Sequence, residues 1–190
     1  LDIHEVRLTV DAAAAARPQA ASAGERDQAR EALLEHLRGV ARTLGRDLKR
    51  DVLGQDRAIE SVARAVRACA AGLGETGRPL ASFLFPGRTG TGKTELARRM
   101  AERLFARGEN KGLVRIDCSE FALAHEYSKL IGSPPGYVGH DDGGQLTDAV
   151  AAEPECVVLF DEVEKAHPKL HNLMLQILEE GALTDSKGRR

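Results

Sequence analysis

The octet Gly87-Arg88-Thr89-Gly90-Thr91-Gly92-Lys93-Thr94 limits what this chain can fold into more than any other stretch of it. Gly87 and Gly92 flank four residues ahead of Lys93-Thr94, the G-x-x-x-x-G-K-[ST] spacing of a phosphate-binding loop. Glycines let such a backbone turn with positive φ and bring its N–H groups against phosphate oxygens, with no Cβ in the way. The loop needs a strand before it and a helix after it, because the positive end of the helix adds to the amides. Both are present. Leu80 to Phe85 is a short apolar run, and Leu96, Ala97, Met100, Leu104 and Phe105 mark one helical face. An ordinary Gly-rich turn would require neither. In this setting Lys93 is expected to reach the β- and γ-phosphates of ATP, and the Thr94 hydroxyl to ligate Mg2+.

The rest of the chain repeats the strand and helix alternation. Leu113 to Ile116 and Cys156 to Phe160 are apolar runs without alternation, the pattern of strands covered on both faces. Asp56 is placed to cap a helix with apolar positions Ile59, Val62, Val66, Cys69 and Leu73, which Gly72 and Gly74 would end. Pro168 opens a last helix through Leu170, Leu173, Met174, Ile177 and Leu178, and Gly181 stops it. The expected fold class is α/β, a parallel sheet between helical layers. Upstream, Ile3, Val6, Leu8 and Val10 suggest a short strand, and Asp11 to Gly24 has the Ala-rich composition of a linker. Leu33, Leu34, Leu37, Val40, Ala41 and Leu44 form one helical stripe over Glu25 to Leu48. The expected division is therefore 1–24 strand and linker, 25–50 amphipathic helical segment, and 51–190 the nucleotide-binding unit.

Composition removes several alternatives. Apolar residues make up 42% of 190, enough for a real core, and 27 basic residues nearly balance 29 acidic ones. No field of one sign draws the chain to nucleic acid or to an anionic membrane. Cys69, Cys118 and Cys156 are far apart and odd in number, which suits neither a disulfide framework nor a zinc site. His125 and His140 are isolated and read as surface residues rather than ligands. With no run near the ~20 apolar residues that span a bilayer, and no secretory signal, the expected location is the cytoplasm.

Val157-Val158-Leu159-Phe160-Asp161-Glu162 supplies a second half for the phosphate site. A buried strand would carry Asp161 to the carboxyl edge of the sheet, beside the P-loop, where it can hold the magnesium. Glu162, one residue on, could polarise the attacking water as general base. An acidic pair after a strand also reads as a helix cap or a solvated turn. The P-loop about 70 residues upstream favours the functional reading.

These segments resemble a known family. From Val52-Leu53-Gly54-Gln55-Asp56 to Thr184-Asp185-Ser186 the chain is similar to the second ATPase module of the Clp and heat-shock-100 class of AAA+ protein unfoldases, truncated at its C-terminus. The resemblance rests on Ala81 to Phe85, Gly92 to Ala97, Arg115-Ile116-Asp117-Cys118-Ser119-Glu120, Ile131-Gly132-Ser133-Pro134-Pro135-Gly136-Tyr137-Val138-Gly139, and Leu159 to Pro168, about two thirds of the chain. It implies the P-loop NTPase three-layer fold and an ATPase that works as a hexameric ring, threading unfolded or aggregated polypeptides through a pore. It also implies a protease or adaptor as partner. Tyr137, with Val138, would grip the substrate from a loop hinged at Gly136 and Gly139 and stiffened by Pro134-Pro135. The local residues alone favour Tyr137 as a core aromatic, and the resemblance reverses that order. Val52 and Leu53 would bracket the adenine, a reading that nearly ties with a plain helix entry. Cys118, where the family often has methionine, reads as a small buried hydrophobe.

Arg88 stands where the family usually has proline, and little resemblance extends upstream of Asp47. The family's polar sensor, trans-acting arginine and lid would lie beyond Arg190, so the isolated chain is expected to bind ATP and turn it over weakly. A nucleotide-binding scaffold or adaptor without productive hydrolysis is the alternative. A DNA-handling motor is disfavoured by the balanced charge and by tyrosine at the pore position.

Overall fold

Apolar residues spaced three and four apart put one stripe on each of four helices, and the four stripes share one core. The computed structural model describes residues 4–12, 23–73, 79–106, 112–132, 143–181 and 183. Helices α1 (Ala23–Ala41), α2 (Leu44–Asp51), α3 (Asp56–Ala70) and α4 (Lys93–Phe105) bury Leu33, Leu37, Leu44, Leu48, Ile59, Val62, Val66, Leu96, Met100 and Leu104 together. The single helix expected over Glu25 to Leu48 is two helices. At the break the Thr43 amide donates to Val40 O at 3.1 Å, a tightened turn that re-aims the chain while Leu44 and Leu48 keep facing the core. The His36 ring donates from Nε2 to Leu104 O at 2.6 Å and Arg38 Nε donates to Ala70 O at 3.1 Å, tying α1 to α4 and to the end of α3. Asp56 is the first helical residue of α3 rather than its cap, which is Gln55 with no side-chain cap bond. The Asp56 carboxylate pairs with Lys49 at 3.2 Å instead.

The sheet has four strands in the order β2-β1-β4-β3: β1 is His4–Ala12, β2 Ala81–Gly87, β3 Leu113–Asp117 and β4 Glu155–Asp161. β3 runs parallel to β4, whereas β1 is antiparallel to both β2 and β4. The strands β2, β4 and β3 therefore share one direction, with a reversed strand wedged between the first two. The division of the chain set residues 1–24 apart from the nucleotide-binding unit, yet β1 pairs inside that unit's sheet, with Leu8 opposite both Phe83 and Leu159.

Side chains of β4 alternate between two cores. Val157 and Leu159 join the helical core just described, while Cys156, Val158 and Phe160 join a second one with Ile116, Phe121, Leu130, Leu146, Leu170 and Met174. That second layer comes from α5 (Ser128–Ile131), α6 (Gln145–Ala152) and α7 (Pro168–Glu180), so helices lie on both sides of the sheet. β4 is buried on both faces, as its uninterrupted apolar run predicts. β3 is not: Arg115 is exposed, because β3 is an edge strand. β2 alternates as well, with Ser82, Leu84 and Pro86 exposed, and among the described residues none from β2 joins the second core. The last helix begins at Pro168 and ends at Gly181, whose φ of 63° makes the left-handed stop that glycine permits.

Candidate functional site

β2 delivers the chain to Gly87 and α4 starts at Lys93, so the phosphate-loop sequence occupies the strand-to-helix turn its spacing requires. Gly90 and Gly92 are left-handed, at φ 80° and 88°, where a side chain would be strained. Gly87 is not among the residues with positive φ; a Cβ there would meet Thr91 Oγ1 at 3.4 Å and Lys93 Cδ at 3.9 Å, inside the loop. The Lys93 ammonium donates to Gly87 O at 2.7 Å and to Arg88 O at 2.8 Å, closing the loop upon itself. Gln55, just ahead of α3, donates from Nε2 to Thr91 O at 2.8 Å and anchors the loop from outside.

β4 brings Asp161 to this turn from two strands away. The Thr94 hydroxyl lies 3.3 Å from Asp161 Oδ2 and 3.5 Å from Oδ1, donating to the carboxylate across 67 residues of sequence. Asp161 is the one buried charged residue among those described, at 8% exposure. A hydroxyl and a carboxylate at this separation are hard oxygen donors of the kind Mg2+ takes, and they fit it as an incomplete ligand set open to phosphate oxygens and water. Arg115 Nη2 also reaches Asp161 Oδ2, at 2.8 Å.

Glu162 follows at φ 55°, the only non-glycine residue with positive φ among those described. Left-handed backbone costs a glutamate about 1–2 kcal/mol, and the turn after it holds the residue there. The Lys165 amide donates to Glu162 O at 2.9 Å, and the Lys165 ammonium donates to Glu162 Oε2 at 2.7 Å. That carboxylate raises the Lys165 pKa above the ordinary lysine value. The short helical turn Val163–Lys165 is pinned in turn by the His171 ring, which donates from Nε2 to Val163 O at 2.9 Å, and by the His167 amide on Phe121 O at 2.9 Å.

Thr89, Gly90, Gly92, Lys93, Thr94, Glu95, Asp161 and Glu162 line one open cleft of ≈ 310 Å³, at the lower end of the size of small-molecule sites. Residues expected at the site from two distant segments therefore meet around one space. Val52 is buried with Cγ1 3.8 Å from where a Cβ of Gly92 would lie, while Leu53 is 84% exposed. Tyr137 and Val138 lie outside the described residues, as does His140.

The match to a family model decides the wider assignment: residues 78–190, more than half of the chain, match the AAA domain (Cdc48 subfamily). The chain belongs to that AAA family. Among its relatives is the Bacillus subtilis protein named negative regulator of genetic competence ClpC/MecB, 57% identical over 138 residues, 73% of this chain and 17% of the relative. Another is the ATP-dependent Clp protease ATP-binding subunit ClpC of Staphylococcus epidermidis, 55% identical over 142 residues, 75% of this chain and 17% of the relative. The resemblance to Clp-class AAA+ proteins holds, and the fold is that of a P-loop NTPase. The chain spans about 17% of the length of these curated relatives.

Three contacts of the AAA site were not among the residues expected there: Gln55 on the loop, Arg115 on Asp161, and Lys165 on Glu162. Glu162 and Lys165 stand three apart, which is a readable signal. Gln55 and Arg115 carry none, because each acts across a gap set by the tertiary fold. The three cysteines are buried and form no disulfide, and burial pushes the Cys118 thiol up to about 12, with Asp117 and Asp161 adding to the effect. His125 is exposed, and among the described residues no three or more His, Cys, Asp or Glu side chains are grouped so as to hold a metal ion by themselves. No described helix is long and apolar enough to cross a membrane.

Proposed function

We propose that this chain binds ATP with Mg2+ in the cleft between Gly87–Thr94 and Asp161-Glu162, and that Glu162 acts as the base for its hydrolysis. The convergence of Thr94, Asp161 and Glu162 on one space beside the P-loop carries this reading. Loop amides and the N-terminus of α4 would bind the β- and γ-phosphates, and Lys93 would exchange the carbonyls of Gly87 and Arg88 for phosphate oxygens. Thr94 and Asp161 would hold the metal, which when bound supplies charge neutralisation on the phosphates. Glu162, kept at the rim by its left-handed backbone, would orient and deprotonate water once it leaves Lys165. Val52, packed near the loop, and exposed Leu53 would bracket the adenine mainly through their backbone.

The name of the Staphylococcus epidermidis relative describes an ATP-binding subunit of an ATP-dependent Clp protease. On that basis we assign the parent protein to ATP-driven unfolding and threading of polypeptides in the cytoplasm, as a hexameric ring with Tyr137 and Val138 facing the pore and a protease or adaptor as partner.

The test is a paired substitution read by nucleotide binding and by turnover. Glu162→Gln is expected to keep ATP affinity within about twofold while turnover falls about 100-fold or more, and Lys93→Ala is expected to lose binding. Turnover unchanged in Glu162→Gln would remove Glu162 from the chemistry and leave a nucleotide-binding scaffold.

A further inference from the structure

Asp161 is the one buried charged residue among those described, and a buried carboxylate needs a cation or a full set of donors. Lys93, the loop's own cation, is turned to the carbonyls of Gly87 and Arg88. The charge that meets Asp161 comes instead from β3. Arg115 stands opposite Leu159 in the parallel pairing, so Asp161 lies two residues further along the neighbouring strand on the same face. Its guanidinium Nη2 is 2.8 Å from Asp161 Oδ2, the oxygen that the Thr94 hydroxyl approaches at 3.3 Å. A hydroxyl and a guanidinium thus converge on one carboxylate oxygen, where a hard dication would also bind. The two ends of the ion pair differ in surroundings: the Asp161 side chain is 11% exposed, the Arg115 side chain 54%. The acid cannot move away, whereas the base can swing into water at little cost.

We propose that Arg115 is a positioning residue that holds the Asp161 carboxylate when no metal is present and gives it up to Mg2+, so that Arg115 sets the concentration of Mg2+ the site requires. A guanidinium and a dication cannot share one oxygen without repulsion, and Arg115, an edge-strand side chain, has open solvent to retreat into. The ion pair keeps the apo carboxylate from pairing with Lys93 and aims it at Thr94. The cost is competition. This inference rests on Asp161 being the metal-facing acid of an ATP site.

The experiment titrates the whole chain with a fluorescent ADP analogue, first in EDTA and then at rising free Mg2+. Arg115→Gln removes the charge and leaves a shorter polar side chain at an exposed position, and a thermal melt checks its fold. Its affinity in EDTA is expected to match the parent within about twofold, while the Mg2+ giving half of the metal-dependent gain falls about fivefold, the upper range for a partly exposed ion pair. Arg115→Lys, which keeps the charge, is expected to return the requirement to within about twofold of the parent. A parent that binds the analogue alongside an Arg115→Gln form with an unchanged or higher Mg2+ requirement overturns the competition and leaves the phosphate site standing. A parent that binds no analogue at any Mg2+ concentration overturns both.

Discussion

Replacing Gly92 by alanine separates the backbone demands of the phosphate loop from its steric ones. Gly92 caps α4 with φ 88° and ψ 14°, and the Leu96 amide donates to its carbonyl at 2.9 Å. A Cβ there would have nothing nearer than Val52 Cγ1 at 3.8 Å, an ordinary contact. The whole cost therefore comes from holding an L-residue in the left-handed region, about 1–2 kcal/mol. For a chain of this size that lowers the melting temperature by about 2–8 °C. Gly87→Ala is the control. It needs no positive φ, its methyl finds Thr91 Oγ1 at 3.4 Å, and its melting temperature is expected to stay within about 2 °C of the parent. Because that methyl points between Thr91 and Lys93, Gly87→Ala is expected to weaken nucleotide binding despite the intact fold. Calorimetric melts without nucleotide, followed by titration with ADP, read the two effects apart. A Gly92→Ala protein that melts with the parent, or a Gly87→Ala protein destabilised as much as Gly92→Ala, refutes the reasoning.

Cys118 gives the chain an alkaline limit. Its pKa is about 12 when folded against 9.0 for a free thiol, so the folded state keeps a proton that the unfolded state releases. Its effect on stability is nil below pH 9, and stability then falls by about 1.4 kcal/mol per pH unit up to about 12; urea titrations are expected to show that slope flattened in Cys118→Ala. Leu37→Ala tests whether α1 belongs to the fold: Leu37 is 1% exposed in the shared core, and truncation is expected to cost about 2–5 kcal/mol in denaturant unfolding. A loss below ~1 kcal/mol would mean that α1 is not packed there.

The phosphate site was legible because its two halves are local patterns. Gly87 to Thr94 carries its geometry in its own spacing, and Val157 to Glu162 is an apolar run ending in acids, which is how a strand buried on both faces is written. What failed to show depended on distant partners. The break between α1 and α2 is hidden because Leu37, Ala41, Leu44 and Leu48 continue one stripe straight through it. β1 read as a marginal strand outside the nucleotide-binding unit, since nothing in His4 to Ala12 states that Val6 will meet Phe85 and Arg7 will meet Phe160. Arg115 is one charge in a short apolar run. Only the register of β3 against β4 brings it to Asp161.

The reversed strand also sets an order of events during synthesis. Leu8 finds Phe83 after about 75 residues have been made, but its other neighbour, Leu159, only after about 150. At ~5–20 residues per second, that second wait lasts about 8–30 s from the moment β1 is made. A β1–β2 pair can form on the nascent chain, with the far edge of β1 bare until β4 emerges. A ribosome paused between Phe85 and Glu155 would then display, in the middle of the future sheet, the kind of open edge on which foreign strands assemble.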